Sequence, residues 1–183
     1  MHYYLLFDAT GAVYGRASRS QPIETLPAGE IECTADQYAH HTDFRVQGGA
    51  VAAIPSAEVA ARAAAATLTA AQKSIRAMAF ARMEALYQFT DSNGVVWNRQ
   101  ESVTRYGIQL NAMVTGGQTL ADDQKADAQT LLAAAATEQA ILDEAARLLA
   151  QASTDATGAL ATAADGSTWP APPAALAALV AAC

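Results

Sequence analysis

The sequence predicts an α+β fold: a small N-terminal β-rich module, an Ala-rich connector helix, and a mainly helical C-terminal domain containing one β-hairpin. Three observations carry this. Short apolar runs separated by turn residues fill positions 1–54. Alanine, roughly a quarter of the chain, is concentrated in long unbroken stretches beyond Pro55. Between two such stretches stands YQFTDSNGVVW, Tyr87 to Trp97, whose Asn93-Gly94 is the best hairpin signal in the chain. The domains expected are 1–54, a β-rich docking module; 55–75, the Ala-rich connector; and 76–183, a helical domain with hairpin 87–97 and a Pro-rich C-terminal end.

In the first module, Tyr3 to Phe7 and Ala12 to Arg16 are strands about the turn Asp8-Ala9-Thr10-Gly11. Pro22 and Pro27 keep the next segment extended. Glu30 to Cys33 is a third strand. Thr34 and Gln37 then stand three apart, the spacing of a capping box, and open a helical turn that carries Tyr38 and ends near His40-His41. Asp43 to Val46 and Ala50 to Ile54 flank Gln47-Gly48-Gly49, a third turn with hairpin chemistry.

Pro55 closes the module, and Ser56 is placed to cap a helix with Glu58 in its first turn. Residues 56–72 have little amphipathic contrast and read as a stalk. Ile75, Met78, Ala79, Arg82, Met83 and Leu86 fall at helical spacing and read as a packing face. The sequence leaves open whether the two are one helix, and Thr67-Leu68-Thr69 is where a break would fall.

After the hairpin, Asn98 and Glu101 form a second capping box for a helix with the stripe Val103, Tyr106, Gly107, Leu110 and Met113, ended by Gly116-Gly117. Thr119 is expected to cap a helix running to about Ala152. Its apolar stripe is Leu131, Leu132, Ala135, Ile141, Leu142, Ala145, Leu148 and Leu149, too wide for a strict coiled-coil seam and so read as a core face. Asp143 and Arg147, four apart, are expected to pair on its surface. Ser153 to Thr157 is a polar link with Gly158 as punctuation, Asp165-Gly166 is a turn before Trp169, and a short helix from Ala174 to Ala182 follows the prolines.

The formal net charge is −7 over 183 residues, and no basic run occurs, so neither nucleic acid nor an anionic membrane is an expected partner. No apolar stretch is long enough for a transmembrane helix, and MHYYLLFDATG lacks the basic and apolar regions of a signal peptide. Cys33 and Cys183 make no disulfide framework and point to a reducing compartment. His40-His41 with Asp36 and Asp43 do not bring two imidazoles readily onto one ion, because adjacent side chains diverge in strand and helix alike. No nucleophile elbow, phosphate loop, dinucleotide fingerprint or zinc motif is present. No catalytic, cofactor or metal residues are assigned, and an enzyme is not expected. The residues assigned to partner binding are Tyr3, Tyr4, Leu5, Phe7, Tyr14, Tyr38 and Phe44.

YYLLFDATGAVYG, IECTADQY and FRVQGGAVAAIP together resemble the N-terminal module of small proteins encoded beside tail-fibre genes in tailed phages, among them tail fibre assembly proteins. The matching residues are Ile31, Thr34, Gln37, Tyr38, Val46, Gly49 and Val51. The second half resembles a helical domain found at the C-termini of such proteins. The resemblance there rests on Arg82 and Glu84, Phe89 and Gly94, helices over 99–115 and 119–152, and Trp169. The Ala-rich segment 56–75 and the Pro-rich end after Trp169 depart from that pattern. The resemblance implies a non-enzymatic tail protein that binds a tail fibre or baseplate subunit, as an assembly chaperone or a fibre-associated component. It would reside in the virion tail, or in the host bacterial cytoplasm during assembly. The alternative is a permanent connector or decoration subunit of the virion tail, present in symmetric copies and self-associating as a trimer or other oligomer.

Overall fold

The computed structural model describes residues 1–183 and has the predicted α+β class. It divides into two compact units, Met1–Ala65 and Ala66–Cys183. The division falls inside one helix, rather than at the expected boundaries beside a separate connector.

In the first unit β1 (His2–Phe7) is the central strand of an antiparallel sheet, between β2 (Val13–Arg19) and β3 (Glu30–Cys33). Alternation along β1 sends Tyr3, Leu5 and Phe7 to one face and His2, Tyr4 and Leu6 to the other. The first face is covered by α1 (Ala35–Ala39), whose Tyr38 ring lies 4.8 Å from that of Tyr3. Thr34 and Gln37 form the expected capping box: the Thr34 hydroxyl accepts from the Gln37 amide, and the Gln37 side chain accepts from the Thr34 amide. On the second face, the Ile23 amide of the proline-bearing segment 20–29 donates to the Tyr4 hydroxyl at 3.2 Å, and Arg19 lies 5.2 Å over the Tyr4 ring. Both faces of β1 are therefore used, and Tyr4 and Leu5 are fully buried.

A 3-10 turn, His41–Asp43, leads to β4 (Phe44–Gln47) and β5 (Ala50–Ala53). Gln47 pairs with Ala50, which leaves Gly48-Gly49 as a two-residue turn with both φ angles positive, 61° and 78°.

Helix α2 runs from Ser56 to Ala85 without interruption. Its first amides, from Glu58 and Val59, bond the Pro55 carbonyl, so Pro55 stands at the cap and Ser56 is already helical. The two stretches are thus one helix, with no break at Thr67-Leu68-Thr69. Two threonines cost a few tenths of a kcal/mol each relative to alanine, about what a run of neighbouring alanines can absorb. Ala60 to Thr67 are all exposed, as a stalk reading implies, and burial begins at Ala71, Ile75 and Ala79.

The second unit holds the rest of α2, then β6 (Gln88–Thr90) and β7 (Val96–Asn98), α3 (Gln100–Thr115), α4 (Asp122–Ala152), α5 (Ala156–Asp165) and α6 (Leu176–Ala182). Ile75, Leu86, Tyr87, Val103, Ile141, Leu148, Trp169, Leu176 and Val180 form one continuous core, filled in by small alanines. On α4 the buried stripe is Ala134, Ile141, Ala145, Leu148 and Ala152. Leu132, Ala135 and Leu142 of the expected stripe lie outside it and are exposed, because the true face follows a single 3.6-residue period.

Four local expectations shift. Asn98 does accept from the Gln100 amide at 3.1 Å, but Glu101 pairs with Arg105 instead of completing a box. Helix α4 starts three residues beyond Thr119, with the Gln124 side chain accepting from the Ala121 amide. Arg147 pairs with Glu144 at 2.7 Å, leaving Asp143 to Gln139. Gly158, expected as punctuation after the polar link Ser153 to Thr157, lies inside α5. Asp155 caps it by accepting from the Gly158 amide at 2.8 Å, and a Cβ at Gly158 would stand 2.0 Å from Asp155 Oδ2.

Candidate interaction site

The seven residues assigned to partner binding do not form one exposed patch. Tyr4 and Leu5 belong to the core of the first unit. Tyr3 and Tyr38 are half-buried against each other, and Arg16 lies over the Tyr38 ring at 4.9 Å while donating to the Tyr38 carbonyl. Phe7 and Phe44 are half-buried. Tyr14 alone projects into solvent, at 69% exposure.

The exposure of Tyr14 follows from the turn before it. Asp8 donates its amide to the Ala12 carbonyl at 3.0 Å, and the Gly11 amide donates to the Asp8 carbonyl at 2.9 Å. Asp8 Oδ1 accepts from the amides of Thr10 and Ala12. Gly11 supplies φ of +83°, a left-handed conformation that closes a type I turn at low steric cost. The register then slips between Leu6 and Phe7: Phe7 pairs with Val13 but Leu6 pairs with Gly15, so Tyr14 stands on a bulge without a partner residue.

The hairpin of the second unit is built on the same turn. Asp91 donates to the Val95 carbonyl at 3.0 Å and accepts at its own carbonyl from Gly94, also at 3.0 Å. Asp91 Oδ1 accepts from Asn93 and Val95, each at 2.9 Å, and Gly94 has φ of +79°. The two segments DATGAVY and DSNGVVW align residue for residue: Asp8 with Asp91, Gly11 with Gly94, Val13 with Val96, and Tyr14 with Trp97. Asn93 does not adopt the positive φ that a two-residue Asn-Gly turn requires; only the glycine does. The repeated signal was legible as D-x-[TN]-G-[AV]-V-[YW], and reading each turn separately missed it.

In the second hairpin the register does not slip. Trp97 pairs with Phe89, and its indole Nε1 donates to Asp91 Oδ2 at 3.1 Å. These bonds hold the Asp91 carboxyl below the usual carboxylate range, the indole contact contributing most. Val95, Val96 and Trp97 are 47%, 60% and 50% exposed. On the inner side, Arg99 lies over the Phe89 ring at 5.0 Å and donates to the Ala181 carbonyl.

Other site-like features are of different kinds. His40 Nδ1 lies 3.2 Å from Asp36 Oδ1, both exposed, and no group of three or more His, Cys, Asp or Glu converges anywhere in the chain. Cys33 and Cys183 are free thiols whose pKa burial pushes up, the opposite of an activated nucleophile. Tyr106 donates to Asp127 at 2.7 Å, both residues line a pocket of about 440 Å³, and that bond pushes the Tyr106 pKa up to about 12. An apolar groove of about 290 Å³ between α3 and α4 is lined by Leu110, Val114, Leu120, Leu131 and Leu132. No helix is long and apolar enough to cross a membrane.

No family model, curated protein or solved structure matches the chain.

Proposed function

We propose that this chain is a non-enzymatic phage tail protein that binds the tail fibre or baseplate region, as an assembly factor for the fibre or a fibre-associated component. The observation that carries the reading is the folding of residues 1–54 around β1, with β2 and β3 as outer strands that pair with β1 alone in their sheet. The segments that resemble the tail-fibre-associated module are the ones that build this sheet, its capping-box helix and the Gly48-Gly49 hairpin. Fibre chains expose strand edges before they trimerise, and an outer strand on a small module can pair with such an edge by strand addition. Of the assigned residues, Tyr14 is the one left free to contact a partner by its side chain.

The test is co-expression of the full chain with the fibre subunit of the phage that encodes it. The fibre subunit is expected to co-purify, and a chain of residues 56–183 is expected to lose it. Equal capture by 56–183 contradicts binding through the module.

A permanent structural subunit in symmetric copies is the second reading. It is favoured by the solvent exposure of the helical stretch Ala60 to Thr67. Sedimentation separates the two: a monomer that associates only with fibre supports the assembly factor, and a stable trimer or higher ring supports the structural part.

A further inference from the structure

The second hairpin turns on the dipeptide in which asparagine is chemically least stable. The chain has three asparagines, Asn93, Asn98 and Asn111, and only Asn93 is followed by glycine. Asparagine is heat-labile because the amide nitrogen of the next residue can attack its side-chain carbonyl carbon. A side chain on that next residue crowds the approach and stiffens the backbone, and glycine does neither.

The surroundings of the three asparagines widen this difference. Asn111 lies inside α3, where the helix holds the backbone on both sides of it. The Arg99 amide, which would attack Asn98, donates to the Tyr87 carbonyl at 2.9 Å, and Asn98 Oδ1 accepts from the Gln100 amide. Asn93 and Gly94 are both exposed, and nothing lies within 4 Å of a Cβ built on Gly94, so the tip of the turn is open to water.

One residue restrains Asn93. The Gly94 amide donates to the Asp91 carbonyl at 3.0 Å, and Asp91 Oδ1 accepts from the Asn93 and Val95 amides on either side of it, each at 2.9 Å. The attacking nitrogen therefore holds its proton in a hydrogen bond. A carboxylate also stands against the negative charge that this nitrogen must carry.

We propose that Asn93 is a site of spontaneous deamidation, restrained by Asp91, and that its conversion opens the second hairpin. Hydroxide takes the Gly94 amide proton, and the Gly94 nitrogen attacks the Asn93 side-chain carbonyl carbon. The new C–N bond closes a succinimide ring. The side-chain nitrogen leaves as ammonia, taking a proton from water and so returning the hydroxide. A second water opens the ring at either carbonyl, to give aspartate or isoaspartate. Isoaspartate routes the main chain through the side-chain carbon and adds one backbone carbon to a turn that is closed by four bonds to Asp91. Asp91 then no longer bonds both Gly94 and Val95 in the present register, and Trp97 loses its tie to the turn. The exposed face from Val95 to Trp97 is thus altered in one direction with time. This chemistry lies in the second unit and does not rest on the phage reading.

The test is to warm the full chain at neutral pH in ¹⁸O-labelled water, digest it, and locate the heavy oxygen by peptide fragmentation in a mass spectrometer. One heavy oxygen is expected at residue 93, in two products that separate on chromatography, while Asn98 and Asn111 stay intact. Asp91→Ala is expected to convert about fivefold faster than the wild type. If Asn111 also converts in that variant, the unit has unfolded. Asp91→Asn then decides: it keeps an oxygen acceptor without the charge and is expected to convert faster than the wild type. In amide spectra of the ¹⁵N-labelled isoaspartate product, Val95 is expected to lose protection from exchange, and the Trp97 indole signal to move toward that of a free side chain. Three results overturn the proposal: conversion at Asn93 no faster than at Asn98, a deciding Asp91 variant as slow as the wild type, or an isoaspartate product in which Val95 is as protected as in the parent.

Discussion

The Trp97 indole donates to the Asp91 carboxylate six residues before it, at 3.1 Å, and so ties the outer strand of the second hairpin to its own turn. Asp91 accepts at both oxygens, from two turn amides and one side chain. One residue therefore sets the turn geometry and the presentation of a half-exposed tryptophan.

Asp91→Ala is expected to release both. The Val95 amide should exchange faster with solvent, and the Trp97 indole signal should move toward that of a free side chain. Asp91→Asn, which keeps an oxygen acceptor, should recover part of the protection. Unchanged exchange at Val95 in Asp91→Ala would show that the turn stands without the carboxylate.

The same carboxylate gives a pH dependence. Its folded pKa lies below the ordinary value, so its contribution is fully present above the usual carboxylate range and is lost as pH falls through the lower folded value. The Trp97 indole signal should hold steady from neutral pH down through the ordinary carboxylate range and shift only below it. A transition centred above that range would contradict the assigned bond.

Tyr87 is buried and donates to Glu138. Burial, followed by that bond, raises its pKa, so its contribution is complete below the ordinary tyrosine value and is lost as pH rises above it. Tyr87→Phe is expected to cost about 1 kcal/mol in urea denaturation at neutral pH, and to flatten the loss of stability above about pH 10. An alkaline loss as steep in the variant as in the parent would assign it to other tyrosines.

Trp169 packs with 6% exposure, donates its indole to the Ala163 carbonyl at 2.9 Å and carries Arg82 at 4.9 Å over its ring. Trp169→Ala should cost about 3–5 kcal/mol. It should also free the chain from Pro170 onward to proteolysis. Stability within a few tenths of a kcal/mol of the parent would mean that this tail is not docked.

On α4, Leu148 is fully buried and Leu132 is 72% exposed. Leu148→Ala is expected to cost about 2–5 kcal/mol, and Leu132→Ala to stay within about 0.5 kcal/mol. Comparable costs at the two positions would place the helix in a different rotation.

Five strands, the Thr34 capping box, the start of α2 after Pro55 and the stripe of α3 were legible in the sequence, because each rests on local patterns of period 2 or 3.6, on a proline, or on a cap spaced by three. What escaped depends on contacts distant in sequence. Ile23 bonds Tyr4 on one face of β1 and α1 packs on the other, which makes β1 a two-sided core strand and removes Tyr4 and Leu5 from any binding surface. Helix α5 was hidden because alanine-rich stretches carry no periodic contrast and Gly158 reads as a breaker, while its capping by Asp155 calls for a glycine there. Of the candidate site, Tyr14 was legible from its turn. The exposed face of the second hairpin was not, because nothing local marks apolar Val95, Val96 and Trp97 as exposed until the helices are seen to pack on Phe89 and Tyr87 instead.

The most direct measurement is quantitative mass spectrometry of purified particles, and of fractionated lysate, from the source that encodes this chain. The account predicts that the chain travels with a tail fibre or baseplate subunit, at a fixed ratio in particles if it is retained, or in the lysate alone if it acts in assembly. A chain that accompanies no tail subunit in either fraction would contradict it.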